Sequence, residues 1–186
     1  MTQLQGKTGK PKLHANKADL KKAKAEYKAK KKGAKNKKLE SLRVGVAGEH
    51  MVLAQMNLQG WDASLTEKNY PMIDIFGRNP ETGKYIGVQV KSASPEQKSF
   101  LIGFRHDNRD DMQNDIVGPY VFVHFHKDRT ADFFIISKEE LISLVFKDDD
   151  AYFGRKRTKA IRPDYPIAVS LELLKDYNGK WDNLWK

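Results

Sequence analysis

The spacing of apolar positions changes period several times along this chain, and each change marks an element. Leu42, Val46, Met51, Val52 and Leu58 recur near helical spacing until Gly60 stops the run, which predicts a helix over 41–58. Trp61 to Thr66 reads as a short strand and Tyr70 to Arg78 as a second. Asn79-Pro-Glu-Thr-Gly83 has turn composition, and Tyr85 to Ala93 reads as the antiparallel partner of the second strand. Over 95–118 a crossover helix is expected, yet SFLIGF reads as strand and only 107–115 has helical character. Tyr120 to His126 and Asp132 to Ile136 are apolar, β-branched and aromatic, and predict further strands.

Ser137-Lys-Glu-Glu140 is a capping box that opens a helix to about Phe146. Residues 148–164 read as a polar loop, Pro166 to Ser170 as a last strand, and Leu171 to Tyr177 as a helix. Trp181 and Trp185, four apart, predict an apolar patch that docks the C-terminus on the body. No internal repeat is present. The expected class is α/β, a mixed sheet flanked by helices.

Charge divides the chain more sharply than hydropathy does. The 186 residues carry a net +10, but residues 1–40 hold fourteen lysines against Asp19, Glu26 and Glu40. The remainder, 41–186, has 20 basic and 21 acidic residues, a balance of −1. The expected organisation is therefore a Lys-rich flexible or helical arm over 1–40 and a single domain over 41–186. Ala18 to Lys32 has good helix formers and a capping candidate in Asn16, though Leu20, Ala23 and Tyr27 give only a thin apolar stripe. Like-charge repulsion would fray such a helix in isolation.

Lys21, Lys22, Lys24, Lys28, Lys30, Lys31, Lys32, Lys35, Lys37 and Lys38 are the candidates for sequence-independent contact with nucleic-acid phosphates. A solvated tail or a nuclear-localisation address is the plainer alternative. A membrane-surface arm is disfavoured by the lack of Trp, Phe and a continuous apolar face.

Absence of cysteine rules out disulfides and thiolate chemistry. No apolar run approaches the ~18 residues of a membrane span, and MTQLQGKTGK lacks the apolar stretch of a secretory signal. The expectation is a soluble intracellular protein with no membrane partner. It would be cytoplasmic and nucleoid-associated, or nuclear in a eukaryote.

The chemistry lies in IDIFGRNPETGKYIGVQVKSAS, residues 73–94. Alternation puts Gln89 and Lys91 on one face of their strand and Val88 and Val90 on the other. If the hairpin is centred between Glu81 and Thr82, residues whose numbers sum to 163 face each other, and Asp74 stands opposite Gln89. A helix packed on that same face would add Glu49. Two carboxylates and an amide oxygen are hard ligands suited to Mg²⁺ or Mn²⁺. A neighbouring ammonium can orient or deprotonate a water, or steady the charge of a phosphoryl transition state.

The order Gly48-Glu49 on a helix, Ile73-Asp74 on one strand and Gln89-Val90-Lys91 on the next resembles the PD-(D/E)XK nuclease superfamily. This is the restriction-endonuclease-like fold, with Holliday junction resolvases and Mrr-like enzymes among its small members. The resemblance rests on residues 41–94 and extends weakly to about 145. It implies a restriction-endonuclease-like fold and a metal-dependent DNA endonuclease. Asp74 and Gln89 would hold the metal, Glu49 would add a ligand from the helix, and Lys91 would serve the nucleophile. Two departures stand out: Pro71 precedes Asp74 by three positions, and Gln89 stands where an acid is expected. The second removes a charge from the site, as in the glutamine variants that resemble Mrr-like enzymes.

Three readings follow. The chain is a Mg²⁺-dependent endonuclease acting on DNA, or a weak or inactive nuclease-fold module that binds nucleic acid or a protein partner. The third is a basic-tailed nucleic-acid binder without metal chemistry. A homodimer is left open. Other candidates are weaker. His124 and His126 share a strand face, with two core-edge histidines the plain account and a metal pair the alternative. Arg155-Lys156-Arg157 is either a phosphate contact or a solvated loop. Arg105, His106 and Arg109 are candidates for a DNA groove, opposed by the acids at 107, 110, 111 and 115.

Overall fold

The computed structural model describes residues 17–67, 70–154 and 164–185, and the chain divides into two units, Met1–Leu39 and Glu40–Lys186. Helix α1 runs over Lys17–Leu58. Gly33 therefore does not end the lysine-rich helix, and Leu39 to Ser41 continue it into the helix expected from the Leu42 pattern. In the first unit Lys21, Lys24, Lys28, Lys31, Lys35 and Lys38 are all exposed and recur at alternating spacings of three and four. At 3.6 residues per turn that spacing gathers them on one side of the helix.

The second unit is built on a five-stranded sheet in the order β1-β2-β3-β5-β6. Its strands are β1 (Asp62–Leu65), β2 (Ile75–Arg78), β3 (Tyr85–Ala93), β5 (Tyr120–Phe125) and β6 (Ala131–Ile136). β3 and β5 pair in parallel and the other neighbours antiparallel, so the sheet is mixed as expected. Strand β4 (Ser99–Arg105) pairs with β7 (Pro166–Ser170) in a separate two-stranded sheet. Between β4 and β5 lie a 3₁₀ turn, His106–Asp111, and one helical turn, α2 (Met112–Asp115).

Alternation sorts the sheet into two cores. Val88, Val90, Val121, Val123, Ile75 and Ile135 pack with Val52 and Met56 of α1 on one face. Ala93, Tyr120, Phe122, Phe134 and Ile136 point the other way, into a core with β4, β7 and α3 (Lys138–Phe153). Fully buried aliphatic side chains of this kind each contribute roughly 1.5–3 kcal/mol.

The local signals acted as their chemistry requires. Asn79 closes the β2–β3 turn by accepting the N–H groups of Glu81 (2.8 Å) and Thr82 (3.0 Å) on its side chain, while Gly83 takes a positive φ of 71°. Ser137 and Glu140 form the capping box at the start of α3. That helix runs on through 148–153, where a polar loop was expected. Acids at a helix C-terminus oppose its dipole, but here Asp149 and Asp150 are paired with Arg109, and Asp149 also with His106. At the C-terminus Trp185 meets Trp61 with ring centroids 4.6 Å apart and Trp181 meets Phe133 at 5.6 Å, so the two tryptophans do dock on the sheet. The helix expected over 171–177 is one α-turn, α4 (Leu171–Leu174), followed by a 3₁₀ turn. Among the described residues no helix is long and apolar enough to cross a membrane.

Candidate active site

The β2–β3 ladder pairs Ile75 with Val88, Phe76 with Gly87, Gly77 with Ile86 and Arg78 with Tyr85, so facing residues sum to 163. The strand expected from Tyr70 is shorter and begins at Ile75, because Pro71 and Met72 turn the chain and Met72 adopts a left-handed φ of 58°. At Asp74 the ladder slips: its N–H donates to the Val88 carbonyl at 2.9 Å, one position out of register. The Asp74 carbonyl is held on its other side by the Thr66 N–H at 2.9 Å. Asp74 therefore sits where β2 parts from β3, held by Val88 of β3 on one side and by Thr66, just past β1, on the other.

Its carboxylate takes over two donors of β3. Oδ2 accepts the Val90 N–H at 2.7 Å and a hydrogen bond from the Gln89 amide. Gln89 is buried and so presents its NH₂ group to Asp74 in this structure, rather than a bare oxygen. Lys91 follows two positions on, on the same face, opposite Phe122 of β5. Burial lowers the Lys91 pKa below the ordinary lysine value, and the charges of Asp74 and then Glu49 partly offset this. Lys91 is thus within electrostatic reach of both carboxylates.

Glu49 arrives by another route than expected. Helix α1 packs on the face opposite Gln89 and Lys91, since its Val52 and Met56 join Val88 and Val90. Gly48 is the reason the helix comes so near. A Cβ there would lie 1.8 Å from Ser92 Oγ and 3.7 Å from Val123 Cβ, so only glycine allows this approach. Glu49, adjacent to that contact, carries a charge that acts on Lys91.

Tyr120 was not singled out from the sequence. It is the β5 partner of Gln89, and its hydroxyl is buried with no hydrogen bond among the described residues. Burial raises its pKa, and the Asp74 charge raises it further. Parallel pairing of β3 with YVFVHF would have put Tyr120 on this face, but the register of that pairing is not written in either strand.

Other candidates lie elsewhere. His106 is bound to Asp149 at 2.8 Å, while Arg109 reaches Asp150 at 3.0 Å and covers the Phe146 ring at 4.6 Å. Both therefore pack against α3; from the sequence they are only candidates for a DNA groove, opposed by the neighbouring acids. Arg155, Lys156 and Arg157 lie outside the described residues. All ten arm lysines, Lys21 to Lys38, are exposed on α1.

The fit of these donors to a metal is chemical. Carboxylate and amide oxygens at Asp74, Glu49 and Gln89 suit a hard divalent cation, provided the Gln89 amide turns its oxygen inward. No protein-family model matches the chain, and no curated protein matches it. Among solved structures the chain is similar to Hjc of Archaeoglobus fulgidus, a Holliday junction resolvase from an archaeal hyperthermophile, at 13% identity and a TM-score of 0.41, covering 74% of this chain and 92% of that one.

Proposed function

We propose that the chain is a metal-dependent endonuclease that hydrolyses DNA phosphodiester bonds. The observation that carries this reading is the convergence of Asp74, Gln89 and Lys91 on one face where β2 leaves β3, with Glu49 in electrostatic reach. Asp74, Glu49 and Gln89 would hold Mg²⁺ or Mn²⁺, which when bound polarises the phosphoryl group and lowers the pKa of a bound water. Lys91 would orient that water or accept its proton. Its lowered pKa makes the neutral amine more accessible than in an exposed lysine. The Val90 N–H and the Gln89 side-chain amide, both donating to Oδ2, hold the Asp74 carboxylate before substrate arrives. The lysine side of α1 supports contact with phosphates that is indifferent to base sequence.

One observation favours the second reading, a binding module of the same fold. The Gln89 NH₂ already satisfies the Asp74 oxygen that a metal would need. The test is cleavage of plasmid, single-stranded and branched DNA by the full chain with and without Mg²⁺ or Mn²⁺, beside Asp74→Asn and Lys91→Met. Metal-dependent cleavage lost in both variants supports the enzyme. DNA binding without cleavage on any substrate favours the module.

A further inference from the structure

The end of the β5–β6 hairpin holds a side-chain cluster that the nuclease reading does not use. His124, His126 and Asp132 each offer a ligand atom, and these atoms all lie within 4.8 Å of one another. His124 and Asp132 are direct partners across the two strands, and His126 is two residues beyond His124. His126 Nε2 and Asp132 Oδ2 are 3.0 Å apart, and the two imidazole rings stand perpendicular with centroids 5.4 Å apart.

Local structure orients each ligand. His124 is buried at 7% exposure, and its Nε2 lies 3.1 Å from the Gln97 carbonyl. A carbonyl only accepts, so Nε2 carries the proton, and the lone pair of the neutral ring is on the other nitrogen. Metal-bound histidines commonly donate their second N–H to a backbone carbonyl in this way, which fixes tautomer and ring orientation. The turn after β5 is closed by His126 N–H to the Thr130 carbonyl at 2.8 Å and Arg129 N–H to the His126 carbonyl at 3.0 Å. His126 is therefore anchored by backbone at both polar groups.

We propose that His124, His126 and Asp132 form a binding site for a borderline divalent transition metal, Zn²⁺ above all, separate from the hard-ion site at Asp74. Two imidazoles and one carboxylate are the donor set such ions prefer, and Mg²⁺ does not. Ligand atoms around tetrahedral Zn²⁺ are about 3.3 Å apart, as follows from Zn–N and Zn–O bonds of about 2.0–2.1 Å. The cluster needs only to close by side-chain rotation, and a water would complete the shell. The ion would clasp the hairpin end to the 94–98 segment through Gln97, directly after the strand that carries Lys91.

The experiment uses the full chain and does not depend on cleavage. Co²⁺ is titrated at neutral pH and followed by visible absorption, and Zn²⁺ is titrated by calorimetry. His126→Ala and Asp132→Asn are compared with wild type, because both side chains are 41% exposed and their replacement should leave the fold intact. One equivalent per chain, with the absorption of a four- or five-coordinate Co²⁺ ion and at least a tenfold loss of affinity in either variant, is the expected result. Asp74→Asn should bind Zn²⁺ as wild type does, which keeps this site distinct from the proposed cleavage centre. No stoichiometric binding, or equal affinity in His126→Ala, would overturn the assignment and leave His126 and Asp132 as a hairpin ion pair.

Discussion

The Asp74 carboxylate accepts the Val90 N–H at 2.7 Å, in the place where a β2 carbonyl would stand had the ladder continued. One side chain thus ends a sheet edge and presents an acid beside Lys91. Asp74→Ala would leave the Val90 N–H and the Gln89 amide without their acceptor. A buried group so deprived costs about 1–3 kcal/mol. Asp74→Asn keeps an oxygen for Val90 and should recover most of that loss, while losing any Mg²⁺-dependent gain in stability. Urea unfolding of both variants, with and without Mg²⁺, measures the difference. Equal stabilities in the absence of metal would mean that Asp74 is not structural.

Lys91 gives a pH signature. Its folded pKa lies below the unfolded value of 10.5, chiefly through burial. In the interval between the two, the unfolded chain binds more protons, so Lys91 makes stability rise with pH. At neutral pH the half-buried ammonium is a burden on the fold. Lys91→Met should therefore unfold at higher urea than wild type at pH 7, and the gap should shrink as pH approaches 10.5. A gap that stayed constant would mean the effect is packing alone. Cleavage, if present, should be lost at every pH.

Gln89→Glu separates the metal-free protein from the loaded one. Without metal it puts a second carboxylate against Asp74 and removes the NH₂ donor, which raises the pKa of one member of the pair. The variant should be less stable than wild type at pH 7, by about 1–2 kcal/mol, the cost of a lost buried hydrogen bond. That deficit should narrow as pH falls through the raised pKa. With Mg²⁺ the added charge should reverse the order, so the rise in melting temperature on adding metal is larger for Gln89→Glu. An equal metal response in both proteins would remove position 89 from the metal site.

Gly48 and Ser92 should be energetically coupled. Alanine favours a helix over glycine by about 1 kcal/mol, yet a Cβ at 48 meets Ser92 Oγ at 1.8 Å and Ser92 Cβ at 3.0 Å. Overpacking of this kind typically costs about 1–3 kcal/mol. Gly48→Ala is expected to destabilise wild type, and to do so clearly less when Ser92 is already glycine. Additive effects in a double-mutant cycle would show that the helix does not rest on Ser92.

Much of this arrangement was legible because it is local. The 163 register of β2 and β3 follows from a turn whose Asn79 and Gly83 leave little choice of geometry, but Asp74 leaves that ladder and reaches Gln89 through its side chain. The Ser137–Glu140 cap and the β7 boundaries are equally local. What failed was non-local. The face chosen by α1 depends on Gly48 meeting Ser92, two residues separated by the whole hairpin. The extension of α3 depends on Arg109 and His106 neutralising Asp149 from forty residues away or more. Tyr120 entered through a parallel pairing, whose register no tight turn encodes.

The lysines of α1 yield the most direct test of what holds nucleic acid. Residues 41–186 carry a net −1, so the excess positive charge lies in the preceding forty residues. Each phosphate neutralised contributes about −0.9 to the slope of log K against log salt, so ~5 engaged lysines give about −4 to −5. Removing residues 1–38 should bring that slope to about −1 or nearer zero and weaken duplex binding strongly, while the apolar contacts of Val52 and Met56 remain. A second variant tests the geometry: Lys24, Lys28, Lys31 and Lys35 replaced by Gln lie on one side of the helix. Replacing Lys22, Lys30 and Lys37 changes other sides. If phosphates follow the lysine side, the first set should flatten the slope by about 3 and the second by less than 1. Both are measured by titration of labelled duplex at several salt concentrations. A truncated chain that binds duplex with unchanged slope would make the arm a solubilising tail. DNA binding would then lie in a local basic groove of 41–186, which the net charge conceals.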